Sequence, residues 1–78
     1  MLKEIEIYRE PVELYKLLKF EGLASSGGEA KILIAEGLVT VNGAIETRKR
    51  KKIVAGDIVE FAGEQFRVQL ASRTADPL

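Results

Sequence analysis

Between Ser26 and Gly43 the hydrophobic period changes once, and that change limits the chain to folds in which a helix runs straight into a β-hairpin. The stretch SSGGEAKILIAEG has helical spacing. Ser26 followed three residues later by Glu29 is a capping-box pair, and Gly37 stands where a left-handed residue closes a helix. Ala30, Leu33 and Ile34 share one face, leaving Lys31 and Glu36 for the solvated side. After Gly37 the period drops to two: Val39 and Val41 alternate and are followed by Asn42-Gly43, a pair suited to the positive φ angles of a tight hairpin turn.

The rest of the pattern agrees with a small mixed fold. LKEIEIY alternates apolar and charged residues, with Ile5 and Ile7 on the face to be buried. In REPVELYKLLKFEGL, Pro11 suits the first turn of a helix, Leu14, Leu17 and Leu18 form its apolar stripe, and Gly22 ends it. The two helices are expected to pack as a hairpin. Two further strands are expected near Ile58 to Phe61 and Gln65 to Leu70, joined around Gly63-Glu64. The class is α+β: a two-helix hairpin on a short, mostly antiparallel sheet of three to five strands, forming a single domain over residues 1–70 with a flexible tail at 71–78.

With 78 residues, the domain buries only about 60% of the surface its unfolded chain exposes, so its core is thin and offers little room for a deep substrate pocket. Neither cysteine nor histidine is present. Disulfides, thiolate metal sites and the commonest general base are therefore excluded, and neither paired carboxylates, a catalytic triad nor metal-ligand spacing is visible. No enzyme activity, cofactor, metal or small-molecule substrate is expected. Charges crowd the first twenty residues and the longest helical apolar run is Ile32 to Ala35, so no membrane segment is expected and the cytoplasm is the expected location.

The formal net charge is zero, yet it is unevenly spread. Residues 31–56 hold six bases and two acids, while the segments on either side each carry a net −2. Five of those bases are consecutive: Arg48, Lys49, Arg50, Lys51 and Lys52. In an extended backbone they would alternate between two faces, neither of which could be buried without a severe desolvation cost. The run must lie on the surface, where it would span roughly 16 Å and could meet several phosphates. The same run would serve equally as a solubilising loop or a lysine-guarded sheet edge.

A second candidate anion seat is the start of the later helix, where Ser26, Gly27 and Gly28 offer free N–H groups at the positive end of the helix dipole. No G-K-[ST] follows, so it is not a P-loop, and a plain helix cap explains it as well. Lys31, one turn in, is placed to extend such a site. The Asn42 turn is explained by its geometry, and its interest is that the hairpin could aim its tip and the basic run at the same side as the helix N-terminus. Tyr8, Tyr15, Phe20, Phe61 and Phe66 read as core or core edge.

Taken in order, these pieces resemble the S4-type RNA-binding domain, or αL-motif family. The matching features are the helix ending in Gly22-Leu23, the Ser26 cap with Glu29-Ala30, Gly37, Val39-x-Val41-Asn42-Gly43 and Ile53-Val54-x-Gly56-Asp57, together covering about residues 12 to 61. The stretch Glu46 to Gly56 resembles the short stand-alone YbcJ-type members. The resemblance implies an S4-like αL fold and binding of structured RNA, ribosomal or transfer RNA being the expected classes, through the N-terminal region of the second helix and the adjoining loop. Many members carry Arg where this chain has Gly27 and a base where it has Glu13, which shifts the expected contacts onto Lys31 and Arg48 to Lys52.

The expectation is thus a monomeric RNA-binding module whose contacts are Ser26, Gly27, Lys31, Asn42, Arg48, Lys49, Arg50, Lys51 and Lys52. One alternative is a ribosome-associated or regulatory adaptor whose basic run meets an acidic protein surface. Another is an accessory domain that positions an RNA-modifying enzyme in trans.

Overall fold

The computed structural model describes residues 2–71. The chain runs β1 (Leu2–Ile7), β2 (Val12–Glu13), α1 (Leu14–Phe20), α2 (Gly27–Ala35), β3 (Val39–Val41), β4 (Ala44–Ile45), β5 (Lys52–Ile53), β6 (Ile58–Phe61) and β7 (Glu64–Leu70). Five strands form a mixed sheet in the order β1-β7-β6-β3-β4, and β2 and β5 form a separate two-stranded ladder. All neighbours in the large sheet are antiparallel except β1 and β7, which pair in parallel from Leu2 opposite Gln65 to Ile7 opposite Leu70. Parallel neighbours need a long crossover connection. Here the helices and the intervening strands supply it.

The core follows the sequence period. Val41, Val59 and Phe66 are successive cross-strand partners and all are buried, as are Ile5 and its parallel partner Val68. Leu2, off the parity of Ile5 and Ile7, is exposed. The helices cover this face with Leu14, Leu17 and Leu18 from α1 and Ala30 and Ile34 from α2, each at most 1% exposed. Both helices end in the same device: Gly22 at φ 75° and Gly37 at φ 78° reverse the chain. The amides of Leu23 and Leu38 then reach back to the carbonyls of Leu18 and Leu33, a Schellman closure. Asn42 and Gly43, at φ 54° and 86°, make the β3–β4 turn with the positive angles expected.

Two local expectations are revised. Pro11 does not open α1: it follows a cis Glu10–Pro11 peptide, and Val12 and Glu13 are extended because they pair with Ile53 and Lys52. The basic run is not one extended segment, since the amide of Lys51 bonds the carbonyl of Arg48 across a turn at Lys49 and Arg50, and only Lys52 enters a strand. Of residues 71–78, Ala71 is 5% exposed and its amide donates to Ile7 O at 2.7 Å, while residues 72–78 lie outside the described residues. Among the described residues no helix is long and apolar enough to cross a membrane.

Candidate nucleic-acid interface

The cationic loop is held by its backbone. A helix begins with N–H groups that lack intrahelical partners. Glu13, the N-cap of α1, makes no side-chain cap, and the carbonyls of Lys51 and Lys49 instead accept from the amides of Leu14 (2.9 Å) and Tyr15 (3.1 Å). The loop's carbonyls are thereby used on the helix, while its side chains remain outside. The β2–β5 ladder anchors the loop's far end through Ile53, which is fully buried.

Tyr15 gathers charge from three elements. Lys31 Nζ on α2 lies 4.6 Å from the ring centroid, and Lys16 Nζ and the Arg50 guanidinium each lie at 6.0 Å. The ring's negative face attracts cations that would otherwise repel one another. Gly27, at the first turn of α2, lies against the same ring: a methyl on its Cα would stand 3.6 Å from two ring carbons. The sequence puts Tyr15 in the core or at its edge. Its half-burial agrees, but its role as an anchor for cations comes from tertiary contacts that no local spacing encodes.

Lys31 and Arg50 of this set border an open groove of about 900 Å³ between α2 and the loop. Its wall is Lys31 and the whole run Arg48 to Lys52, with Ile32 and Ala35 adding an apolar strip and no acidic residue in the lining. The cations are not equivalent. Arg48 is clamped by Glu46 through Nε to Oε2 at 2.8 Å and Nη2 to Oε1 at 3.1 Å, with its amide also donating to Oε2 at 2.9 Å. The side-chain and backbone hydrogen bonds from Arg48 hold the Glu46 carboxyl down at about 2, and the side-chain hydrogen bonds to Glu46, with its charge, raise the Arg48 pKa in turn. Arg50 lies 4.0 Å and Lys16 3.7 Å from the Glu13 carboxylate. Among the described residues no carboxylate lies within ion-pair distance of Lys31, Lys49, Lys51 or Lys52.

The remaining sequence candidates lie elsewhere or are occupied. Ser26 Oγ accepts from the Glu29 amide at 3.1 Å. The Glu29 carboxylate returns to the amide and hydroxyl of Ser25, bonds that lower its pKa and make a capping box displaced by one residue. Asn42 does not line the groove. Its Nδ2 donates to Asp57 Oδ1 at 3.0 Å and its Oδ1 accepts from the Ile58 amide at 2.9 Å, so it fastens the hairpin to the Gly56-Asp57 turn. Glu46, which decides how much of the Arg48 charge is free, was not singled out in the sequence, although its i,i+2 spacing from Arg48 is visible there.

Comparison with known proteins agrees with this architecture. The chain is 63% identical over 57 residues to the "Putative RNA-binding protein YbcJ" of Escherichia coli (strain K12), covering 73% of this chain and 81% of that one. It is 36% identical over 63 residues to the "Probable ribosome maturation protein RlbA" of Bacillus subtilis (strain 168), covering 81% and 89%. The solution structure of Escherichia coli YbcJ, described as revealing an αL motif involved in RNA binding, superposes with a TM-score of 0.65 at 55% identity over 85% of each chain. The S4 domain family profile matches residues 5–69, so the chain belongs to the S4 domain family.

Proposed function

We propose that this protein binds structured RNA by laying its phosphate backbone in the groove between α2 and the cationic loop. The observation that carries the reading is a groove wall of six cationic residues and no acidic one, in a chain whose net charge is zero. Four of those cations, Lys31, Lys49, Lys51 and Lys52, have no carboxylate partner among the described residues, which leaves them available for phosphates. Phosphate contacts give affinity and position, and selectivity then comes from the shape of the folded RNA. The N-terminus of α2, capped by Ser26 and with Gly27 beside the Tyr15 ring, adds backbone N–H groups at the edge of this field.

Ribosomal RNA is the preferred class of target, supported by similarity to a protein named for ribosome maturation. The role is binding rather than catalysis. RNA binding through about three to five phosphates gives a log K that falls with log salt at a slope of roughly −2 to −4. A titration of the protein against a ribosomal RNA stem-loop across a salt series tests this. A slope near zero, or recovery from cells of a protein complex that persists after nuclease, contradicts it in favour of an adaptor with an acidic protein partner.

A further inference from the structure

A second groove, lined from the end of β1 through β2 and by α1 and Lys52 of β5, differs in character from the first. Of about 740 Å³, it is bordered by Tyr8, which follows β1, and Phe20, the last residue of α1. These two aromatic residues are 63% and 67% exposed, although a core only this large could have used both. Single exposed apolar residues are ordinary, but two aromatics flanking one concavity are not.

Its charge is balanced where the first groove's is not. Glu6, Glu13 and Glu21 line it together with Arg9, Lys16 and Lys52. Such a field does not favour a phosphate. It suits a group with a flat apolar face and hydrogen-bond donors at its edge, because rings stack on Tyr and Phe and carboxylates accept from amines. The two grooves also meet at one side chain. Lys52 lines both, and Lys16, at the rim of the second, reaches the Tyr15 ring that sits under Lys31 and Arg50 of the first. A strand whose phosphates leave the cationic groove at Lys52 would bring its next nucleotide to Tyr8 and Phe20.

We infer that this second groove is a subsite for an unpaired, amino-bearing nucleobase, stacked against Tyr8 and Phe20, adjoining the phosphate groove. The inference rests on the RNA-binding reading and deepens it: the protein would recognise a helix with a single-stranded extension or bulge rather than duplex alone. Adenine, guanine and cytosine carry exocyclic amines that Glu6 or Glu21 can accept, whereas uracil offers only one imino donor.

The test uses a blunt RNA hairpin, the same hairpin with an oligoadenosine 3′ extension, and extensions of uridine or of abasic sugars. The unmodified chain should prefer the adenosine extension to the blunt, uridine and abasic forms. Phe20→Ala and Tyr8→Ala, at exposed positions where folding should be retained, should each weaken the adenosine-extended RNA by roughly fivefold or more and leave the blunt hairpin unchanged. Phe20→Trp, which keeps a stacking face, should restore the preference. Equal affinity of the unmodified chain for all four RNAs, or unchanged affinity in both alanine variants, overturns the subsite and leaves the groove to another kind of occupant. Failure of the unmodified chain to bind even the blunt hairpin overturns the RNA reading as well, so the two failures are told apart.

Discussion

The amide of Tyr15 donates to the carbonyl of Lys49 at 3.1 Å, which makes the first turn of α1 and the cationic loop one backbone unit. With the neighbouring Leu14 to Lys51 bond, and with Glu46 clamping Arg48, this explains how consecutive like charges are held near one another. Helix amides that need acceptors are matched to loop carbonyls that need donors. The charged ends of the side chains are left to the solvent and to whatever polyanion arrives.

If Lys49, Lys51 and Lys52 meet phosphates, replacing all three with alanine should weaken RNA at least tenfold and make the salt slope shallower by roughly 2 to 3. Lys49 and Lys52 are exposed and Lys51 is half-exposed, so thermal stability should stay close to that of the unmodified chain. Fluorescence anisotropy across a salt series, paired with thermal melts, measures both.

Tyr15 is expected to act by positioning Lys31, Arg50 and Lys16 rather than by touching RNA. Tyr15→Phe keeps the aromatic face and should leave affinity unchanged, whereas Tyr15→Leu should lower it about two- to fivefold, the worth of an exposed cation–π contact. A loss in the phenylalanine variant would point instead to the hydroxyl as a contact. The discriminating readout is the Lys31 side-chain ammonium resonance, which the ring shifts in the tyrosine and phenylalanine forms and not in the leucine form.

The Glu46–Arg48 clamp sets a trade between stability and binding. The folded-state pKa of Glu46, about 2, lies below its ordinary value of 4.5, so the folded protein binds fewer protons between these values than the unfolded chain does. Its contribution is complete above pH 4.5 and is lost as the pH falls toward 2. Glu46→Gln should flatten that part of the stability profile. It should also release Arg48, raising RNA affinity a few-fold and steepening the salt slope by roughly 0.7 to 0.9. Denaturation midpoints followed from pH 6 to pH 2, about the range between the two protonation states, check the first effect, and RNA titration checks the second.

Asn42 carries two hydrogen bonds and a φ of 54°, and glycine would keep the turn while removing both bonds. Asn42→Gly should therefore cost about 1 to 2 kcal/mol of stability. It should leave RNA affinity, measured well below the melting point, unchanged. A specific loss of RNA affinity in a fully folded Asn42→Gly protein would make this residue a contact.

What the sequence made legible was set by local physics. Gly22, Gly37 and Asn42-Gly43 announce themselves because few residues tolerate their backbone angles, and the Ser26–Glu29 spacing is sufficient to start α2. The five-residue cationic run had to be on the surface. What stayed hidden was non-local: Pro11 suits a helix start by local rules, but Val12 and Glu13 pair with a strand some forty residues later, and the turn inside the run depends on α1 needing acceptors. The β1–β7 parallel pairing joins the two ends of the described chain, beyond the reach of any hairpin signal. Tyr15 and Phe20 both read as core or core edge in the sequence, and only the packing separates the half-buried ring from the exposed one.

The central claim is that the groove between α2 and the cationic loop receives the RNA backbone. Amide chemical-shift mapping during titration with a ribosomal RNA stem-loop addresses it most directly. The largest changes are predicted at Tyr15, Gly27, Lys31 and Arg48 to Lys52, fading as salt is raised. Shifts concentrated instead on β1 and the outer edge of the sheet, with the groove residues unmoved, would contradict it.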